Sequence, residues 1–286
     1  MEARDATGPT GVLTIGEVLR RSTEHLAATG CETPRLDAEL LLGKALGLER
    51  VELYLQLDRP LVETELASAL ELVSRRAARE PLQYVLGEWG FRRLTLAVDG
   101  RALIPRPETE IVVERCLTLL DGRRAPAVLD VGVGSGAIAL AIADEHPGAA
   151  VTGIDVSADA LALARENADR TGIAVDLLCH DLFHGLPRGP WDLVVSNPPY
   201  VDEAERGGLA PEVAGFEPST ALFGGGHTEA VARAAHDVLA PGGALVLESH
   251  SDRARATAAL LAGLGYRDVR VTCDLAGRDR VVEGVR

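Results

Sequence analysis

The stretch Ala127-Val128-Leu129-Asp130-Val131-Gly132-Val133-Gly134-Ser135-Gly136 reads as a buried strand that runs straight into a glycine-rich turn. Ala127 to Val131 is a short apolar run, and Ala137 to Glu145 beyond the turn has helical composition. Glycines between a strand and a helix let a ligand approach the backbone closely. The spacing is Gly-x-Gly-x-Gly rather than the dinucleotide pattern Gly-x-Gly-x-x-Gly, so a merely tight turn would read the same way. From here to the end of the chain strands and helices alternate, which predicts a parallel, doubly wound α/β sheet.

The next strand, Ala150 to Ile154, ends at Asp155, about 20 residues after the glycines, where an acid can take both hydroxyls of a ribose. Asp155 need not cap the helix Asp159 to Arg170, because Ser157 or Asp159 can do so. A third strand, Val175 to Cys179, ends at His180-Asp181-Leu182. There an acid can meet the edge of an adenine, and Leu182 or Phe183 can cover its face.

A fourth strand, Trp191 to Val195, delivers Ser196-Asn197-Pro198-Pro199-Tyr200. Neither proline can continue a ladder, so the strand ends in a rigid turn with exposed acceptors. The Asn197 side-chain oxygen and the Pro198 carbonyl can point the same way beside the flat face of Tyr200, an arrangement that suits a planar NH2 group. Such a nitrogen is a poor nucleophile because its lone pair is delocalised, and acceptors on both N–H bonds favour its pyramidalisation. Catalysis would then rest on orientation and fixed dipoles, without a strong base. In isolation the same residues would also make an ordinary strand-terminating turn. All four loops follow the carboxyl ends of strands, where open α/β sheets bind ligands, so one crevice can hold nucleoside and NH2 group together.

After Tyr200 comes a long acidic connection, Asp202 to Gly226, of a length that suggests a lid or binding loop. A helix near Thr228 to Leu239 leads through Pro241-Gly242-Gly243 to a fifth strand, Ala244 to Glu248. A helix around Arg253 to Leu264 and strands Val269 to Cys273 and Arg280 to Val285 follow. The last two strands are close enough to pair as a hairpin. The sheet is therefore expected to have seven strands, mostly parallel, with an antiparallel last strand.

Upstream, Thr14-Ile15-Gly16-Glu17 has capping-box spacing and opens a helix running to about Thr29. Thr33-Pro34 is an N-cap with a first-turn proline for a second helix ending near Leu46 and Gly47. A short segment at Val51 to Gln56 and an amphipathic helix from Thr64 to Arg79 complete a small all-α domain, residues 1–80. Leu82 to Ile104 has strand-like texture through Tyr84, Val85, Trp89, Phe91, Leu94, Leu96 and Val98, with a tight-turn dipeptide at Asp99-Gly100. It reads as a β-hairpin linker over residues 81–104, before an α/β domain over residues 105–286. Ile104-Pro105-Arg106-Pro107-Glu108-Thr109 is either a stiff connection or a wall of the site.

The formal net charge of -14 argues against a large nucleic-acid footprint, which would normally be basic. Cys31, Cys116, Cys179 and Cys273 are widely separated, so reduced thiols are expected and no disulfide framework or zinc site. His180 and His184 stand four apart with no evident third ligand, and no metal is expected. Met1 to Gly11 is polar, lacks an apolar signal region and reads as a frayed start. No apolar run reaches membrane-spanning length. A cytoplasmic monomer is the expectation.

With these pieces placed, the chain resembles the bacterial peptide-chain release factor N5-glutamine methyltransferases, the PrmC/HemK family. The resemblance rests on Pro34-Arg35-Leu36-Asp37-Ala38-Glu39, Pro81-Leu82-Gln83-Tyr84 with Gly87, the Ile104 to Thr109 stretch and Leu129 to Gly136. Asn197-Pro198-Pro199-Tyr200, Glu217-Pro218, Gly265-Tyr266 and Gly277-Arg278-Asp279-Arg280 extend it over nearly the whole length. It implies a Rossmann-like class I methyltransferase domain that binds S-adenosyl-L-methionine, with a helical domain that helps hold a protein substrate. Carried to matching positions, the turn Gly132, Val133, Gly134, Ser135 and Gly136 would line the methionine side of the cofactor. Asp155 would hold the ribose, and Asp181 with Leu182 the adenine. Asn197, also beside the cofactor, and Pro198 would accept from a glutamine amide, with Pro199 stiffening the turn and Tyr200 packing on the amide plane. The implied partner is the Gly-Gly-Gln loop of class I release factors.

Two stretches depart from the family pattern. Gly224-Gly225-Gly226-His227-Thr228-Glu229 replaces the usual Gly-Gly-x-Asp-Gly-Leu, and Glu248-Ser249-His250-Ser251 lacks a usual glycine. Neither is expected to touch the tetrapeptide, although both fall near the substrate-facing half. The alternatives left open are glutamine methylation of a ribosomal protein, amino-methylation of adenine or cytosine in nucleic acid, and a non-catalytic module that binds S-adenosylmethionine.

Overall fold

The computed structural model describes residues 13–286, so the frayed start read at Met1 to Gly11 lies outside the described residues. The chain divides after Leu86 into two compact units.

The first unit contains helices α1 (Ile15–Ala28), α2 (Pro34–Leu46), α3 (Arg50–Leu55), α4 (Glu63–Ala77) and α5 (Leu82–Leu86). The capping box forms as its spacing predicts: the Glu17 N–H donates to the Thr14 hydroxyl at 3.3 Å and the Thr14 N–H to the Glu17 carboxylate at 3.1 Å. Ile15, Leu19, Leu26, Leu41, Leu42 and Leu53 are fully buried in one core. Each such side chain contributes about 1.5–3 kcal/mol over exposure. Thr33 stands at the N-cap of α2 but its hydroxyl donates instead to Asp37 Oδ1 at 2.7 Å. The other Asp37 oxygen accepts from Arg76 Nε at 2.7 Å, a buried charge pair.

Tyr84 and Val85, read as strand, are on helix α5 instead. Leu82 and Val85 join the helical core, and burial there outweighs their strand-like texture.

The second unit opens with the hairpin β1 (Glu88–Phe91) and β2 (Leu94–Ala97), shorter than the sequence texture suggests. It reverses at Arg92-Arg93 rather than Asp99-Gly100. Arg92 takes a left-handed φ of 51°. It is held there by its N–H on Glu110 Oε1 at 2.9 Å and its guanidinium on Glu145. The hairpin is not a free linker: Asn167 donates to the Ala97 and Ser135 carbonyls at 3.1 and 2.9 Å and accepts from the Ala97 N–H at 2.7 Å.

The remaining elements are α6 (Thr109–Leu120), β3 (Ala127–Val131), α7 (Ala137–Glu145), β4 (Ala150–Asp155), α8 (Ala158–Thr171), β5 (Asp176–Cys179) and β6 (Trp191–Ser196). Then come α9 (Pro211–Phe216), α10 (Ser219–Leu222), α11 (His227–Val238), β7 (Leu239–Glu248), α12 (Ala254–Gly263), β8 (Arg267–Cys273) and β9 (Asp279–Val285). The connection from Asp202 to Gly226 is thus not an open loop. It folds as a 3-10 turn at Glu203–Gly208 followed by α9 and α10. Strand β7 begins at Leu239 rather than Ala244: Trp191 pairs with Leu239 and Leu193 with Ala244, so Pro241-Gly242-Gly243 bulges out within it.

The sheet order is β5-β4-β3-β6-β7-β9-β8, with β5 to β7 parallel and β9 antiparallel to both neighbours. Val128, Val195 and Val246 face α6 and α7, whereas Leu129, Val194 and Leu245 face α11 and α12. That alternation covers both faces, as a parallel sheet requires. The connection order reverses beside β3, and the crevice opens there. Among the described residues no helix is long and apolar enough to cross a membrane.

Candidate active site

Register brings the sequence signals to one edge. Val131 pairs with Ile154 on one side and Ser196 on the other, so Gly132, Asp155 and Asn197 emerge side by side. Asp155 pairs with Cys179, which places His180 and Asp181 next along. A cavity of about 370 Å³ lies over this edge, and Gly132 to Ser135, Asp155, Asp181, Leu182 and Asn197 to Pro199 line it. It lies wholly within the second unit.

The glycine turn is held by backbone. The N–H groups of Gly132 and Val133 donate to the Ile154 carbonyl at 2.8 and 2.9 Å. Gly132, at φ +77°, has a left-handed backbone that side chains rarely adopt, and nothing lies within 4 Å of where a Cβ would stand. Gly136, expected beside the cofactor, does not line the cavity: a Cβ there would come within 3.1 Å of Leu140 and 3.4 Å of Ala164. It lets α7 sit tightly against α8. The Val133 side chain turns onto Gly153 of β4, and Ser135 is buried with its carbonyl on Asn167.

Ser157 caps α8, accepting from the Ala160 N–H at 3.2 Å. Asp155 is thereby left to the loops, with Oδ2 accepting from the Gly134 N–H at 3.0 Å and Oδ1 from the Ser157 N–H at 2.9 Å. A carboxylate offers about four acceptor sites, so roughly two remain for hydroxyl groups of a ligand. Asp181 accepts from the Phe183 N–H at 2.9 Å, and its second oxygen is 3.1 Å from His184 Nδ1. His180 Nε2 meets the Gly185 carbonyl at 2.9 Å. Both histidines are thus engaged locally rather than toward a common point.

The buried carboxyl of Asp130 was not singled out by sequence. Its Oδ2 accepts from the Ala139 N–H at 3.1 Å, and Oδ1 has no partner among the described residues. Burial, aided by the charge of Asp155, pushes this carboxyl up to about 7 from its ordinary 3.8. Between those values the folded chain holds a proton that the unfolded chain releases, so this group lowers stability as pH rises from about 4 to about 7. The full span corresponds to about 4 kcal/mol. Asp130→Asn is expected to gain on the wild type across that window, measured as denaturant midpoints at roughly pH 5 and pH 8. An equal pH dependence in both proteins would show that Asp130 is not the source.

Asn197 lines the cavity and its side chain makes no hydrogen bond to another described residue, so its acceptor is available. The Ser196 hydroxyl anchors the strand end on the Val131 carbonyl at 2.6 Å. Tyr200 is placed differently from its neighbours and does not line the cavity. Its ring centroid is 6.1 Å from that of His250, and its carbonyl accepts from the Arg253 guanidinium. Burial, with Glu248 adding to it, pushes the phenol up to about 12, so it stays protonated and is no base at neutral pH.

Arg106 does line the cavity, so the Ile104 to Thr109 stretch is one of its walls. Arg106 Nη2 donates to Glu217 Oε1 at 2.5 Å, which ties this wall to the connection after Tyr200. Burial raises the Glu217 carboxyl against the opposing pull of Arg106. Below them, the Thr109 hydroxyl donates to the buried Glu248 at 2.6 Å.

Both departures from the family pattern touch the tetrapeptide, contrary to the sequence expectation. Gly224 lies so close that a Cβ would come within 2.8 Å of Pro199, and its N–H approaches the Val201 carbonyl at 3.4 Å. His250 supplies the ring beside Tyr200. A parallel bridge between Val201 and Phe223 brings Gly224 back alongside, a contact invisible in linear spacing.

Comparison with known proteins agrees with this architecture. Residues 17–87 match the PrmC N-terminal domain, and residues 110–265 match the methyltransferase small domain. The chain is 44% identical to the release factor glutamine methyltransferase of Geobacter sulfurreducens over 280 residues, covering 96% of this chain and 97% of that protein. It is 42% identical to that of Chlorobaculum tepidum over 284 residues, covering 94% and 96%. A 16S rRNA methyltransferase (RsmC) of T. thermophilus superposes with a TM-score of 0.51 at 18% identity, covering 70% of this chain and 49% of that one, a likeness of fold alone. Near-complete coverage at this identity means that the chain belongs to the release factor glutamine methyltransferase family.

Proposed function

We propose that this protein methylates the side-chain amide nitrogen (N5) of the glutamine in the Gly-Gly-Gln motif of bacterial class I release factors, using S-adenosylmethionine. The observation that carries the reading is the free acceptor of Asn197 opening into the same cavity as the glycine turn and Asp155, in a chain with full-length relatives of that activity.

The residues fit the cofactor. Gly132 lines the cavity with nothing within 4 Å of where a Cβ would stand, and Asp155 keeps acceptor capacity for two ribose hydroxyls. Gly132 and Gly134, which line the cavity, would shape the methionine side, with Asp181 and Leu182 at the base. S-adenosylmethionine supplies an electrophilic methyl group when bound. The protein's part is orientation: Asn197 Oδ1 and the Pro198 carbonyl accept the two amide N–H bonds and direct the nitrogen lone pair toward the methyl donor. With Tyr200 held protonated, no side chain need act as a strong base. The alkylated amide nitrogen is strongly acidic and gives up its proton to solvent.

Incubation of purified, unmethylated release factor with labelled S-adenosylmethionine tests this directly. Label is expected on the Gly-Gly-Gln protein and on neither a Gly-Gly-Ala variant nor duplex DNA. Label on DNA, or on the Gly-Gly-Ala protein, would overturn the reading.

A further inference from the structure

We propose that His227 is a base-recognition residue, donating a hydrogen bond from Nε2 to a ring nitrogen of the adenine while the neighbouring Asp181 accepts from its exocyclic amine. This rests on the reading of the cavity as the S-adenosylmethionine site.

His227 is the first residue of α11, placed there by Gly226 at φ 82°. It lines the cavity together with Asp181, Leu182 and Phe183. Its ring meets that of Phe183 with centroids 4.9 Å apart and planes at 72°, so the two form a corner at the base end of the cavity. Nδ1 is buried without a hydrogen-bond partner among the described residues and lies against Gly224, where a Cβ would approach within 2.5 Å of it. Nε2 is therefore the nitrogen left to a ligand.

Burial lowers the tendency of His227 to take a second proton, although the charge of Asp181 works against this. A neutral imidazole carries one donor and one acceptor. In the tautomer that leaves the buried, unpartnered Nδ1 bare, Nε2 carries the hydrogen and is the donor. On its N1 side and its N7 side alike, adenine presents a ring acceptor next to its amine. A donor from His227 beside the carboxylate of Asp181 is the complement of that pair.

Calorimetric binding of S-adenosylhomocysteine to the whole protein tests the proposal, with wild type, His227→Leu and His227→Gln compared. The leucine variant is expected to bind about tenfold more weakly, the worth of one hydrogen bond. The glutamine variant, which keeps an N–H donor, is expected to recover most of the loss. Of the 1-deaza and 7-deaza analogues, one should bind the wild type about tenfold more weakly yet bind His227→Leu as well as the parent compound does. Wild-type affinity in His227→Leu, or equal affinity of both analogues and the parent for the wild type, would overturn the proposal. The wild-type analogue series stands whatever the leucine change does to folding. Failure of the wild type to bind S-adenosylhomocysteine at all would instead overturn the cofactor reading.

Discussion

Asn197→Ala is expected to lower kcat by about a thousandfold while leaving the Kd for S-adenosylmethionine within a few-fold of wild type. Removing one preorganised polar group that acts on the reacting atoms costs about 10²–10³ in rate, roughly 3–4 kcal/mol. The effect should reach the upper end here because Asn197 holds one of only two acceptors proposed for the amide, and its side chain has no hydrogen bond among the described residues to lose. The strand end would persist, since Ser196 remains anchored on Val131 and Pro198 and Pro199 still fix the turn. Single-turnover rates and calorimetry on one preparation separate the two effects. Full activity in the variant would remove the role assigned to Asn197.

Asp155→Ala is expected to act on the opposite parameter, weakening S-adenosylmethionine binding by at least about a hundredfold. Hydrogen bonds to a charged group contribute about 1.5–3 kcal/mol each, and two ribose hydroxyls are at stake. The substitution also frees the N–H groups of Gly134 and Ser157, so the glycine turn loses a tie along with the acceptor proposed for the ribose. Asp155→Asn, keeping one oxygen, should fall between the two. Calorimetric Kd values give the answer, and unchanged affinity in Asp155→Ala would show the ribose assignment to be wrong.

The second unit was readable from sequence where local signals and tertiary packing agree. Ala137 to Glu145 is a helix with the bounds its composition predicts, and the strands before and after it lie in the expected parallel order. A strand ending in Asn-Pro-Pro leaves the ladder few choices, so Asn197 falls beside Gly132 as expected. The helix at Leu82–Leu86 was not readable, because a five-residue segment, mostly apolar, has no decisive period and its core decides its state. The reversal at Arg92-Arg93 depends on Glu145, a partner 53 residues away. The Arg106–Glu217 tie spans 111 residues, and nothing local to either residue announces it. Gly224 meets Pro199 only because the connection after Tyr200 folds into helical turns and returns. Charge pairs and close backbone approaches between distant segments were what the linear pattern withheld.

The most direct measurement of the central claim is tandem mass spectrometry of a class I release factor after reaction with this protein and S-adenosylmethionine. One methyl group on the side-chain amide of the Gly-Gly-Gln glutamine is the predicted result. A methyl group at any other position of an otherwise competent substrate would contradict the account.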